Sequence, residues 1–183
     1  MATRLLGAGI ALMLPLVAPA SARGQEAPPS TVPEVDFDRY AGTWFELARF
    51  PNRFQRDCAG EVTATYAVRE DGRIDVVNRC RTKEGGTKEA EGIARPASEG
   101  ETSKLEVRFA PGFLSFLPFV WGDYWIIDLA DDYSTAVVGS PDREYLWVLS
   151  RTPSMTVEAY QQLVAAAARE GFDVDRLVRT AQD

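Results

Sequence analysis

The side chains that could do chemistry in this sequence are few. No histidine occurs among the 183 residues, which excludes Ser-His-Asp and Cys-His catalysis and removes the usual zinc and copper ligand sets. No metal or cofactor is therefore expected. The two cysteines, Cys58 and Cys80, could form a reactive thiol or a disulfide, but their spacing is not CxxC and does not suggest redox chemistry. Asp and Glu fall mostly at outward positions of alternating segments, so no carboxylate pair is set up for general acid and base work. A formal net charge of −7 argues against a nucleic-acid partner and against simple adhesion to anionic lipid. What remains is a chemistry of contact, carried by aromatic and aliphatic side chains spaced two apart.

Those side chains need a frame, and the N-terminus does not belong to it. Met1-Ala2-Thr3-Arg4, an apolar run from Leu5 to Val17 and Ala20-Ser21-Ala22 read as a secretory signal peptide over residues 1–22, too short for a membrane span. Cleavage is expected after Ala22. Residues 23–33, rich in Pro, form a flexible lead, and residues 34–183 are long enough for one domain with a real core. In an exported chain Cys58 and Cys80 are expected to pair; the alternative is two separate buried thiols. If bonded, they close a loop worth about 3 kcal/mol in the chain-entropy model.

Strand signals fill most of that domain. Gly42 to Phe50 alternates as a first strand, and Pro51 to Asp57 is a polar loop that should cross one mouth of the barrel. Glu61–Val68 and Arg73–Arg81 form a hairpin about Glu70-Asp71-Gly72. Parity puts both cysteines on its apolar face, with an offset that a bulge would absorb. Thr87–Arg95 would turn Ala90, Gly92 and Ala94 inward, leaving space, and Lys104–Phe109 alternates charge with Leu105, Val107 and Phe109. Tyr124–Asp128, Thr135–Gly139 and Glu144–Ser150 complete an all-β, antiparallel, up-and-down barrel. Thr156 caps a C-terminal helix over Val157–Glu170, which Gly171 ends. Its stripe of Val157, Tyr160, Leu163, Val164 and Ala167 should pack outside the barrel. The segment Phe113 to Trp121 is apolar yet broken by proline. It is either satellite core or an exposed lip that meets a ligand, a membrane or a second subunit.

Three motifs within this frame carry a family resemblance. Gly42-Thr43-Trp44, Asp131-Asp132-Tyr133 and the Arg151 of Leu149-Ser150-Arg151-Thr152-Pro153 resemble, in order, the three signatures of the lipocalins. The run from Asp142 to Pro153 is similar to their bacterial outer-membrane branch. The likeness covers roughly residues 34 to 178 and implies eight strands, one end closed and one open. Ala64, Tyr66, Val76, Asn78, Val107, Phe109, Tyr124, Tyr145 and Trp147 would then line the cavity. Gly42, Trp44, Asp132, Tyr133 and Arg151 would belong to the closed end, where the family stacks the guanidinium on the indole.

What the resemblance implies for function is binding, storage or transport of a small hydrophobic ligand, a fatty acid or lysophospholipid, in cell-envelope maintenance. At ~0.8 kcal/mol per buried methylene, an acyl chain offers on the order of 10 kcal/mol against roughly 4–15 kcal/mol of association cost. Head-group choice would fall to polar groups near the mouth, such as Asn78, Tyr66, Arg53 or Arg56. Members of the branch often carry an acylated cysteine; none precedes Cys58 here, so a soluble periplasmic or secreted protein is expected, with peripheral outer-membrane contact in view. Two other readings stand beside this one. One is a lipocalin-like isomerase acting on a lipophilic substrate, which would need a cavity thiol or paired carboxylates. The other is an interaction module that forms a homodimer through the aromatic lip 113–121.

Overall fold

Gly42 turns the chain from a single helical turn into the first strand. Its φ of 94° is a left-handed conformation that favours glycine, and a Cβ there would crowd the Arg151 guanidinium. In the computed structural model, residues 27–115, 117 and 120–182 are described. The expected signal peptide and the start of the expected lead lie outside them, as do Phe116, Pro118 and Phe119 of the lip. Helix α1, Phe37–Tyr40, precedes the barrel, and the Asp36 carboxylate caps it by accepting from the Asp38 and Arg39 N–H groups. The strands are β1 (Gly42–Arg49), β2 (Cys58–Val68), β3 (Ile74–Thr82), β4 (Thr87–Pro96), β5 (Lys104–Arg108), β6 (Gly122–Leu129), β7 (Thr135–Gly139) and β8 (Leu146–Ser150). Helix α2, Val157–Arg169, and a short strand β9, Val178–Arg179, follow.

Consecutive strands pair antiparallel from β1 to β8, and β8 returns to β1, so eight strands close into a barrel and leave no free edge among themselves. Strand β1 changes partner midway. Gly42 to Phe45 pair with β2, while Phe45 to Arg49 pair with β8 across a bulge between Glu46 and Ala48. The seam this opens beyond Phe45 is occupied by the tail. Arg179 and Val178 pair with Ala48 and Arg49, the Glu61 N–H donates to the Ala181 carbonyl, and the Gln182 amide donates to the carbonyls of Glu46 and Val62.

Two register shifts in β2, between Cys58 and Gly60 and between Gly60 and Thr63, absorb the hairpin offset. Cys58 and Cys80 meet in a disulfide, Cα to Cα 5.6 Å.

Side-chain parity divides the apolar residues between two cores. Trp44, Tyr66, Ile74, Val76, Leu105, Ile126, Val138 and Leu149 pack inside the barrel. Ala48, Val137, Val148 and Phe172 face outward and are covered by Leu163 and Ala167 of α2. The hydroxyl of Thr156 caps the helix by accepting from the Ala159 N–H. The helix stripe differs from expectation at its start: Val157 is 66% exposed, and Ala166 is buried instead. The covering face therefore begins a turn later than hydropathy suggests.

Candidate functional site: a barrel interior with one sealed end

Arg151 seals one end. Its guanidinium lies 4.0 Å from the Trp44 ring centroid and donates to the carbonyls of Arg39, Tyr40, Ala41, Thr43 and Tyr133. Trp44 is wholly buried and its indole N–H donates to the Tyr40 carbonyl. Around them Asp132 caps its own turn by accepting from the Ser134 N–H, and the Tyr133 hydroxyl accepts from the Asp36 N–H. Only an always-charged planar group with several donors can serve so many carbonyls at once.

Above this floor lies a cluster that alternation alone does not reveal. The Tyr124 hydroxyl is 2.8 Å from the hydroxyls of both Tyr40 and Tyr66. Burial pushes all three phenols up, Tyr66 to about 12, so they stay neutral at physiological pH. Three O–H donors share two hydrogen bonds, which leaves one phenolic proton to be offered to the interior. Ala64, Val76, Val107 and Asn78 stand on the same inward face, with Ala64 paired to Asn78. The small residues of β4 leave less room than expected. Phe109, though 42% exposed, lies so close to Gly92 that a Cβ there would come within 2.7 Å of its ring. It fills the space that glycine vacates.

At the end of the barrel opposite this plug Trp147 projects inward from β8. Tyr145 stacks on it with centroids 5.8 Å apart and planes 8° from parallel, and Phe54, 56% exposed, extends the aromatic column outward. The Trp147 indole N–H donates to Gln55 Oε1, at 3.1 Å. Gln55 donates in turn to Glu46, a residue 3% exposed whose carboxylate also receives Arg49 Nη1 at 2.9 Å and the Thr180 hydroxyl at 2.6 Å. Glu46 is an inward exception to the expectation that carboxylates fall mostly at outward positions. It shares the parity of Trp44, two residues earlier, and that alternation was the available signal. Thr180 and Gln182 carried none, because their role is set by tertiary docking.

Burial raises the Glu46 carboxyl above its ordinary value of 4.5, outweighing the hydrogen bonds from Thr180 and Gln55 and the Arg49 charge. Folding therefore favours the protonated form. That contribution to stability is fully present below pH 4.5 and is lost as pH rises through the higher folded value. We expect wild-type unfolding free energy to fall relative to that of Glu46→Gln as pH is raised from 4 to 8. Parallel urea-denaturation profiles across that range would contradict it.

The lip is partly accounted for by the structure. Trp121 lies outside the barrel, its ring 3.9 Å from the Arg95 guanidinium and 5.2 Å from that of Arg108, and its N–H donates to the Ser115 carbonyl. It is packed rather than free.

Closure of eight antiparallel strands, a Trp44–Arg151 plug at one end and a helix laid outside make a specific architecture, and comparison with known proteins agrees. A model of the lipocalin-like domain matches residues 35–182. The chain belongs to the lipocalin family. This lipocalin is 41% identical over 180 residues to the outer membrane lipoprotein Blc of Escherichia coli K12, covering 93% of this chain and 97% of that protein. It is 42% identical over 150 residues to temperature-induced lipocalin-1 of Arabidopsis thaliana, covering 81% and 80%. Among solved structures, lobster apocrustacyanin A1 shares the fold with a TM-score of 0.64 at 16% identity, over 86% of this chain and 91% of that one. Lipocalins are barrels that hold one small ligand, and small hydrophobic ligands are their common class. No described helix is long and apolar enough to cross a membrane.

Proposed function

We propose that this lipocalin is exported to the periplasm or cell exterior and there binds a fatty acid or lysophospholipid as an envelope carrier or scavenger. The observation that carries the reading is the aromatic column Trp147–Tyr145–Phe54, which runs outward from the inward face of β8 and would give an acyl chain continuous apolar contact. Ala64, Tyr66, Val76, Asn78, Val107, Phe109 and Tyr124 would complete the lining below it, with the spare phenolic proton of the tyrosine cluster as the one polar contact near the floor. Both cysteines are bonded to each other, so the enzymatic alternative has no thiol nucleophile to use. The dimer reading draws less support with Trp121 packed against two arginines.

Mass spectrometry of organic extracts from the protein purified out of an envelope fraction, run beside native mass spectrometry, tests the proposal. We expect one equivalent of a long-chain acyl lipid. An empty protein that also fails to take up a fluorescent fatty acid would overturn it.

A further inference from the structure

The loop between β1 and β2 does more than cross the mouth. With the end of β1, the start of β2, the residue after β3 and β9 it borders an open recess of about 550 Å³ whose walls carry Arg49, Arg53, Arg56 and Lys83 and no carboxylate. In a chain with 27 acidic and 20 basic residues, four cations on one concave surface stand against the background charge. Their usual partners are missing. Among the described residues no ion pair engages Arg53, Arg56 or Lys83, and all three are exposed. Arg49 meets Glu46 and Thr180 through Nη1 alone, and its buried Nε has no hydrogen-bond partner. A buried guanidinium N–H left unpaired is costly, and the residue that carries it is one of those lining this recess.

The recess is joined to the barrel interior by shared residues. Gln55 lines it and also accepts from Trp147, while Arg49 is the cross-strand partner of Trp147. A ligand whose chain follows the aromatic column therefore reaches its polar end beside these cations. A single carboxylate would engage only one guanidinium fork, whereas a phosphate has oxygens for several. Nothing in the recess suits an ammonium group, since no acid lines it. The nearby aromatic faces are already engaged: Arg53 covers the Phe54 ring at 4.9 Å, and Tyr145 lies between Phe54 and Trp147.

We infer that this recess is a head-group site for phosphate, and that it selects acyl lipids whose phosphate carries no balancing ammonium over zwitterionic, neutral or carboxylate ones. This deepens the acyl-lipid reading and rests on it.

The test compares lysophosphatidate, lysophosphatidylcholine and monoacylglycerol of one acyl chain, with inorganic phosphate as a separate titrant, on the full protein. Exposed cations are weakened by solvent screening, so the expected preference for lysophosphatidate over monoacylglycerol is about tenfold, with lysophosphatidylcholine between them and the ratio shrinking in high salt. In Arg53→Gln/Arg56→Gln/Lys83→Gln that ratio should fall to about one, and Arg56→Gln alone should give an intermediate ratio. A wild-type ratio near one while monoacylglycerol binds, or a ratio unchanged by the triple substitution, overturns the head-group site and leaves the acyl reading standing. Saturable binding of inorganic phosphate without a lysophosphatidate preference would show the recess to serve a free anion and overturns the lipid assignment. Failure of every acyl ligand to bind removes the acyl reading and the inference with it.

Discussion

Arg151→Ala should lower the unfolding free energy by about 3 kcal/mol, more than most single substitutions. The guanidinium is the common donor for carbonyls from α1, from the start of β1 and from the turn before β7, and it also covers the Trp44 ring. Removing it leaves those carbonyls competing for water at a site that is only partly open, and each hydrogen bond to a charged donor is worth roughly 1.5–3 kcal/mol before that solvent access is discounted. Arg151→Lys should recover less than half of the loss, because an ammonium cannot span carbonyls arranged around a planar fork. Urea denaturation followed by tryptophan fluorescence measures both, with the slope expected to stay unchanged. A loss below about 1 kcal/mol would mean that Arg151 is not what holds this end shut. Where the variant remains folded, acyl-lipid affinity should be retained, since the plug and the open end are served by different residues.

Trp147→Arg should have the opposite profile, a folded barrel that has lost acyl-lipid affinity by at least about a hundredfold, or roughly 3 kcal/mol. The substitution removes the inner ring of the aromatic column and breaks the hydrogen bond to Gln55. It also places a second guanidinium directly across the ladder from Arg49, and like charges at paired positions repel. The barrel should survive, because Trp147 is only partly buried and the new side chain can extend its charge toward the mouth. Far-ultraviolet circular dichroism together with displacement of a fluorescent fatty acid measures the two consequences separately. Retained affinity would remove Trp147 from the lining.

How much of this was legible in the sequence depended on which physical signal each feature carries. Alternation located the strands closely because one face of every strand meets a core: β3 was expected at Arg73–Arg81 and lies at Ile74–Thr82, and α2, expected to reach Glu170, ends at Arg169. The same parity set Tyr66, Tyr124 and Trp147 facing inward. It could not show that three hydroxyls from α1, β2 and β6 converge, since that depends on how far the barrel has turned between strands. Parity sets Glu46 inward, against the general rule that carboxylates are rarely buried. Periodicity set Gly92 and Phe109 inward but could not show the ring filling the space over the glycine, and the seating of Thr180 and Gln182 left no periodic trace at all. The cationic recess was half visible, as Arg53 and Arg56 in a mouth loop, while Arg49 and Lys83 join them only once β1 and β3 are held on either side of β2.

The seating of the tail also sets a clock on maturation. Glu46 is made early, yet the Thr180 hydroxyl that donates to it and the Gln182 amide that donates to its carbonyl are separated from it by 134 and 136 residues. Until residues 178–182 have docked, the upper half of β1 and the start of β2 are two unpaired edges flanking a carboxylate with part of its shell missing. Contacts this distant in sequence are slow to form, and open edges of that kind recruit strands from other chains. The vulnerable period of this protein is thus the interval in which most of the barrel could already be assembled but its seam is still unfilled. Crowded, incompletely folded chains would then be one another's most available partners.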